Sequence, residues 1–415
     1  MEIGRIIKYH REKNEITQEV LAQGICSKTY LSKIENNVTQ ASEEIITLLC
    51  KRLDIPLHYD SSEELERIIH LLDHWLISIK NKENKKIEEY RSQIVKTIKN
   101  LDNPEISIKY HLVSLRYFLY HKKFEESKKI VDELTLIENV FCEEQKAFFL
   151  YFTGLYEYLN DEINESIMYY SKAEELFKKL HIHEPELLYF LALSHSRINN
   201  TALAIHYSNK ALDFYTDQLD FLHSIYLYII LAINFLRLNN YEKTESYLFN
   251  ALKISKSLNN NDLIANIFHN LGFLYSKKSG HLKAIDYYKQ SLELKVSDYQ
   301  KYTHTLFYLV KEYFKAGNFQ EGNQLLDKGI EIASINNITT NFYKLKALKA
   351  INNLNIEACM SSLIEEIVPY FENKQNWSEF HEYLMLLSKH YSDLNQYKKA
   401  YYYCCKAYKA KKFID

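Results

Sequence analysis

Glycine and proline are scarce, at 8 and 4 of 415 residues. All-β folds and nucleotide-binding α/β folds draw on glycine for turns and loops, so helices joined by short polar turns are favoured. A surplus of positive charge is also missing, because 52 Lys and Arg stand against 54 Asp and Glu. Contact with a nucleic acid would therefore need a local surface. The most apolar stretch, Ile225 to Leu238, is too short and too polar at its ends to cross a bilayer. The opening residues MEIGRIIKYHREKNEIT hold neither an apolar core nor a small-residue cleavage site. A cytoplasmic protein without a signal peptide is expected. Cys26, Cys50, Cys142, Cys359, Cys404 and Cys405 lack CxxC spacing, which favours reduced thiols over a disulfide framework. There is no P-loop, dinucleotide-binding glycine run, HExxH or GxSxG, so neither an enzyme nor a cofactor is expected. His70 and His74 lie one turn apart and His181 and His183 bracket Ile182, but no third ligand is placed beside either pair.

What the chain has in plenty is Ile, Lys, Asn, Tyr and Phe, a bias that an AT-rich genome produces unaided. The periodicity of these residues has a different origin. Ile3, Ile6, Ile7 and His10 are spaced for a helix ending near Asn14. Thr17 then suits an N-cap, with Glu19 in the first turn and Val20, Leu21 and Ile25 as the buried side. Ser27 caps a third helix, SKTYLSKIENN, built on Leu31 and Ile34. Ser42 caps a fourth, with Glu43 and Glu44 at its start, Lys51 and Arg52 at its end, and Pro56 as the stop. Two short helices joined closely inside a small bundle make a helix-turn-helix arrangement.

Thr17-Gln18, Leu21-Ala22, Ser32-Lys33-Ile34-Glu35-Asn36 and Ser42 carry a resemblance to the phage-repressor type of helix-turn-helix domain. It covers about the first 60 residues. Asn37 and Ala41 stand where that family has Gly and Pro, and Asn tolerates the left-handed backbone such a Gly adopts. The segment Thr17 to Glu35 is one residue shorter than in most phage repressors. In this it is similar to the peptide-responsive regulators of the PlcR and NprR family, the Rap–Rgg–NprR–PlcR–PrgX group. The resemblance implies that the helix from Ser27 to Asn36 enters the major groove. Lys28, Thr29 and Tyr30 would meet base edges, with Lys33 one turn later. Gln18 would bond a phosphate, and Arg5, Arg11 and Asn37 would contact the DNA backbone.

Residues 54–62 break the helical pattern with Pro56 and Asp60, and Ser61 with Glu64 forms a capping box. A helix-turn-helix domain over 1–58 and a repeat domain over 63–415 are expected. In the second, Leu271-Gly272, Tyr275, Ala284, Tyr288 and Ser291 follow the tetratricopeptide pattern. Small residues sit where two antiparallel helices cross, and aromatics fill the space between pairs. Leu115, Gly154, Ala192, Ala232, Gly272, Val310, Ala350 and Ser388 anchor successive copies at steps of 38 to 40 residues. With a degenerate pair around Trp75, eight or nine helix pairs are expected. The fold class is all-α: a helix-turn-helix bundle followed by a right-handed tetratricopeptide superhelix with a concave face. Cys404 and the runs Tyr169-Tyr170, Tyr287-Tyr288 and Tyr401 to Tyr403 take packing positions on second helices.

In tetratricopeptide proteins the concave face commonly holds an extended peptide. Asn270 precedes Leu271-Gly272, and this run resembles Rap and NprR repeats in which the Asn holds the peptide backbone. An amide offers both donor and acceptor. Template positions facing the groove give Tyr189, Arg197, Ile233, Arg237, His269, Phe273, Lys277, His304, Phe307 and Lys311. Arg197, Arg237, Lys277 and Lys311 form a cationic rail for a peptide carboxylate or acidic side chain. The expected function is a DNA-binding transcription regulator controlled by a short signalling peptide. Its partners would be a double-stranded DNA operator, the peptide and a second copy of the chain, with no membrane. The alternative is a protein-interaction scaffold that sequesters a response regulator or another protein.

Overall fold

The computed structural model describes residues 3–55, 62–98, 103–352 and 361–413. Every regular element among them is helical. The chain forms two compact units, residues 1–219 and 220–415. Pro56, Asp60 and Ser61, on which the expected domain boundary rests, lie outside the described residues, as does Cys359.

The first unit opens with α1 (Ile3–Lys13), α2 (Gln18–Ala22), α3 (Lys28–Glu35) and α4 (Glu43–Arg52). Thr17, Ser27 and Ser42 each accept a hydrogen bond from the backbone N–H three residues on, as their positions before apolar runs foretold. Each such cap contributes about 1 kcal/mol. Ile7, Leu21, Leu31 and Leu49 meet in a closed core. Val20 does not join them and is 57% exposed. The reason is length: α2 has only five residues, so Leu21 and Ala22 fill its inner side. Gly4 is required where α1 crosses α3, because a Cβ there would stand 1.9 Å from the Ile34 carbonyl oxygen. Asn37 takes the left-handed backbone at φ 56°.

Four helix pairs complete this unit: α5 (Ser62–Lys80) with α6 (Asn84–Ile98), α7 (Pro104–Tyr120) with α8 (Phe124–Leu136), α9 (Glu143–Leu159) with α10 (Ile163–Lys179), and α11 (Pro185–Arg197) with α12 (Thr201–Asp217). Trp75 is buried in the first pair. The small N-terminal bundle is tied to them through α1. Arg5 Nη2 donates to the Val140 carbonyl at 2.6 Å, Lys8 Nζ to that of Asn139 at 3.1 Å, and Tyr9 Oη lies 2.9 Å from Ser107 Oγ. Tyr9 thereby packs into the core of the repeats rather than that of its own bundle.

The second unit continues with α13 (Phe221–Arg237), α14 (Tyr241–Ser257), α15 (Asn261–Lys277), α16 (His281–Glu293), α17 (Tyr299–Lys315), α18 (Phe319–Ile335) and α19 (Thr339–Asn352). A π-turn over Leu363–Ile367 leads into α20 (Val368–Asn373), followed by α21 (Trp377–Asp393) and α22 (Tyr397–Lys411). Every expected anchor falls inside the first helix of a pair. The 40-residue step from Phe221 to Asn261 is two 17-residue helices and two three-residue turns. Asparagine supplies what glycine does not. Asn239 adopts φ 56°, and Asn240 both bonds back to the Phe235 carbonyl and caps α14 through Lys243 N–H at 3.1 Å. Asn199-Asn200 and Asn259-Asn260 repeat the device. Glycine remains where helices press closest: a Cβ on Gly272 would lie 2.6 Å from the Tyr288 ring, and one on Gly154 equally close to Tyr170. At α22 the packing pattern lapses. Tyr401, Tyr402 and Cys404 are exposed, since no described helix follows to cover them.

Candidate functional site

The face expected to meet DNA is built by the Ser27 cap, which starts α3 with Lys28 and Thr29 exposed. Leu31, Ile34 and Glu35 form its buried side, leaving Lys33 exposed and Tyr30 half-buried against the bundle core. Asn37 is exposed just beyond the helix. Other expected DNA contacts are committed inside the protein. Glu35 is fully buried and takes Arg11 Nε at 2.6 Å, Arg11 Nη2 at 2.9 Å and Gln18 Nε2 at 2.7 Å. A buried carboxylate needs such partners, so Arg11 is committed to the bundle, while half-exposed Gln18 gives Glu35 one of its two amide hydrogens and keeps the other. Arg5 is likewise spent on Val140.

Nine of the eleven expected groove residues stand on three neighbouring first helices of the second unit: Ile233 and Arg237 on α13, His269, Asn270, Phe273 and Lys277 on α15, and His304, Phe307 and Lys311 on α17. Arg237, His269, Asn270, Phe273 and Lys277 line one cavity of about 500 Å³, together with Ile233 and Tyr308. His269 and Asn270 also border a broader basin of about 710 Å³, which adds His304, Lys295 and Lys301. Asn270 thus sits on the ridge shared by both. Its amide makes no hydrogen bond to any described residue, so both ends are open to a ligand. Lys277 lies over the Phe273 ring at 5.5 Å, and Arg237 Nη1 donates to Asn234 Oδ1 at 3.1 Å.

Two members of the expected cationic rail have carboxylate neighbours. Arg197 pairs with Asp161 and covers Tyr158 at 5.4 Å, and Lys311 approaches Glu382 at 3.8 Å. Tyr189 and Arg197 belong to α11 in the first unit, where Tyr189 packs edge-on against Phe190. The basin adds Lys295 and Lys301, which the groove template did not reach, to His269 and His304, which it did. His269 Nδ1 meets Thr305 Oγ1 at 3.1 Å, and its ring packs against His304, Tyr288 and Tyr308. Burial, with Lys295 and His304 adding to it, pulls its pKa down to about 3. His304 falls to about 4 for the same first reason, aided by Lys344 and Lys295. Both imidazoles are therefore neutral donors and acceptors at ordinary pH. Among the described residues no group of three His, Cys, Asp or Glu is placed to hold a metal, and no helix is long and apolar enough to cross a membrane.

Residues 7–59 match the helix-turn-helix family and residues 224–295 the tetratricopeptide repeat. Transcriptional activator NprA of Geobacillus stearothermophilus is 29% identical over 92% of this chain and 96% of its own length. Response regulator aspartate phosphatase I of Bacillus subtilis is 24% identical over 68% of this chain and 75% of its own. Among solved structures, the apo form of the quorum sensor NprR from B. thuringiensis superposes with a TM-score of 0.74 at 23% identity, over 83% of this chain and 99% of that one. NprR in complex with its cognate peptide NprX gives 0.64 at 24%, with the same coverage. The chain is a helix-turn-helix protein with tetratricopeptide repeats. Over most of its length it is similar to the transcriptional activator NprA, and its fold is that of the NprR structures.

Proposed function

We propose that the chain is a sequence-specific DNA-binding transcription regulator controlled by a short peptide bound beside Asn270. The observation that carries the reading is the open Asn270 amide on a ridge between two cavities. Around it stand an aromatic, Phe273, and two cations, Arg237 and Lys277. Such a surface suits an extended backbone with alternating side chains. The peptide-bound form of NprR supports it. The exposed Lys28, Thr29 and Lys33 supply the base-reading end, with Ser27, Tyr30 and Asn37 flanking them. Peptide binding would bias one of two states of different DNA affinity. A second copy is the further partner, two recognition helices then meeting half-sites about one DNA turn apart. We also assign the protein to the cytoplasm, where a DNA operator and reduced thiols coincide.

Selection of duplexes from a randomised DNA pool tests the DNA half. Enrichment of one motif, lost in Lys28→Ala, supports it. Salt-sensitive binding without any motif contradicts it. The relatives named response regulator aspartate phosphatase favour a second reading, in which the repeats hold a response regulator. A pull-down with purified response regulators, with and without peptide, separates the two.

A further inference from the structure

Three Arg and Lys side chains are buried among the described residues: Arg11, Arg116 and Lys295. Arg11 meets Glu35 and Arg116 meets Glu186, each at 2.6 Å. Both obey the rule that a charge leaves water only for an opposite charge. Lys295 departs from it. With 5% of its surface exposed, its ammonium makes one bond to a described side chain, to Thr305 Oγ1 at 3.0 Å. No described carboxylate lies within ion-pair distance of it. Asp298, three residues on, is taken by the Lys301 ammonium at 3.0 Å and by the backbone N–H that opens α17.

The chemistry of the bond to Thr305 matters. An ammonium only donates, so the Thr305 hydroxyl accepts from Lys295, and a neutral hydroxyl does not balance the lysine's charge. The same hydroxyl lies 3.1 Å from Nδ1 of His269, an imidazole that burial keeps neutral. The surrounding charges do not compensate either: Lys301 opposes the Lys295 charge and Asp298 supports it, and burial dominates both. Lys295 nevertheless lines the broad basin beside Asn270, together with Lys301, His269 and His304. The ammonium has donors to spare, fixed in position and bordering a space that a peptide can enter.

We propose that Lys295 is the anchor for a carboxylate of the bound peptide, whose backbone Asn270 holds at the edge of the basin. This rests on the peptide reading above and adds the anion that the groove selects. The carboxylate comes either from the peptide's C-terminus or from an Asp or Glu side chain. Either one converts a buried lone charge into a charge-assisted pair.

The test uses the full chain and two random-sequence libraries of short peptides, one ending in a free carboxylate and one C-terminally amidated. Retained peptides are read by mass spectrometry. The wild-type chain should retain free acids and, from the amides, only sequences containing Asp or Glu. Amides retained only with such residues assign the side chain as source, and no amides retained assigns the C-terminus. Lys295→Met should weaken the best free-acid peptide at least about tenfold, the loss of one charged hydrogen bond. Its melting temperature should be unchanged or higher, because an apolar side chain of similar length replaces a buried charge. A lysine with a merely structural role would instead lower it. Should Lys295→Met not fold, Thr305→Val removes the fixing hydroxyl and should also erase the free-acid preference. Retention of amidated peptides lacking Asp and Glu, at an affinity Lys295→Met leaves unchanged, overturns the anchor and spares the peptide reading. No retention from either library by the wild-type chain overturns that reading and the anchor with it.

Discussion

Glu35 is sealed inside the N-terminal bundle, where two side chains distant in sequence, Arg11 and Gln18, donate to its carboxylate. Arg11→Ala should therefore cost about 3 kcal/mol, the penalty for stranding a buried carboxylate. Faster hydrogen exchange across α1 to α4 would register it. Unchanged exchange would show that the pair does not hold the bundle. At Asn270 the consequence is the reverse, since the amide has no partner among the described residues: Asn270→Ala should leave the melting temperature alone. It should weaken peptide binding by about tenfold, the worth of one or two hydrogen bonds. Lys295 adds a pH dependence. Burial lowers its pKa from 10.5 to about 8 in the folded chain. Between those values the unfolded chain binds the extra proton, so the ligand-free protein gains stability as pH rises from about 8 to 10.5. Lys295→Met lacks this gain, and the difference between the two melting curves should shrink across that window. A constant difference would contradict the buried charge.

At the scale of single elements, turns and crossings decide whether the pattern holds. Asn239 carries φ 56° in a three-residue turn, and Asn239→Ala should cost about 1 kcal/mol for an L-residue without a turn-forming amide. Gly272→Ala drives a methyl into the Tyr288 ring, a clash costing about 1–3 kcal/mol. Denaturant unfolding of both variants checks these values, and wild-type stability in Gly272→Ala would show that α15 and α16 are not pressed together there. These elements were legible in the sequence. Caps such as Thr17 and Ser27 are local, and the anchors from Leu115 to Ser388 recur with the helix-pair length. The fates of Arg11, Gln18 and Arg5 were not legible, because their partners Glu35 and Val140 are set by tertiary packing. Lys295 escaped for a related reason. It lies just past α16, outside the first-helix positions that a groove template reads, and only the approach of α17 brings Thr305 to it. Arg197 and Lys311 share the periodicity of Lys277, but Asp161 and Glu382 claim them.

At the scale of the whole molecule, the helix proposed to read DNA and the cavities proposed to hold a peptide belong to different compact units, so the proposal requires a signal to pass along the chain. The N-terminal bundle is not loosely tethered within its own unit, since Arg5, Lys8 and Tyr9 fasten α1 to the repeats. Tyr9→Ala should free it and weaken any effect of peptide on DNA affinity while sparing peptide binding itself. Anisotropy titrations of duplex DNA with and without peptide would show this, and an undiminished effect would remove α1 from the route. The most direct test of the central claim is calorimetric titration of the full chain with short peptides, about five to ten residues, a length that suits a repeat groove. They would be taken from the C-terminus of any small secreted reading frame beside its gene. Saturable binding, weakened by Asn270→Ala, is the predicted result. No binding by any such peptide, with DNA binding intact, would contradict it and leave a DNA-binding protein with a protein-docking array.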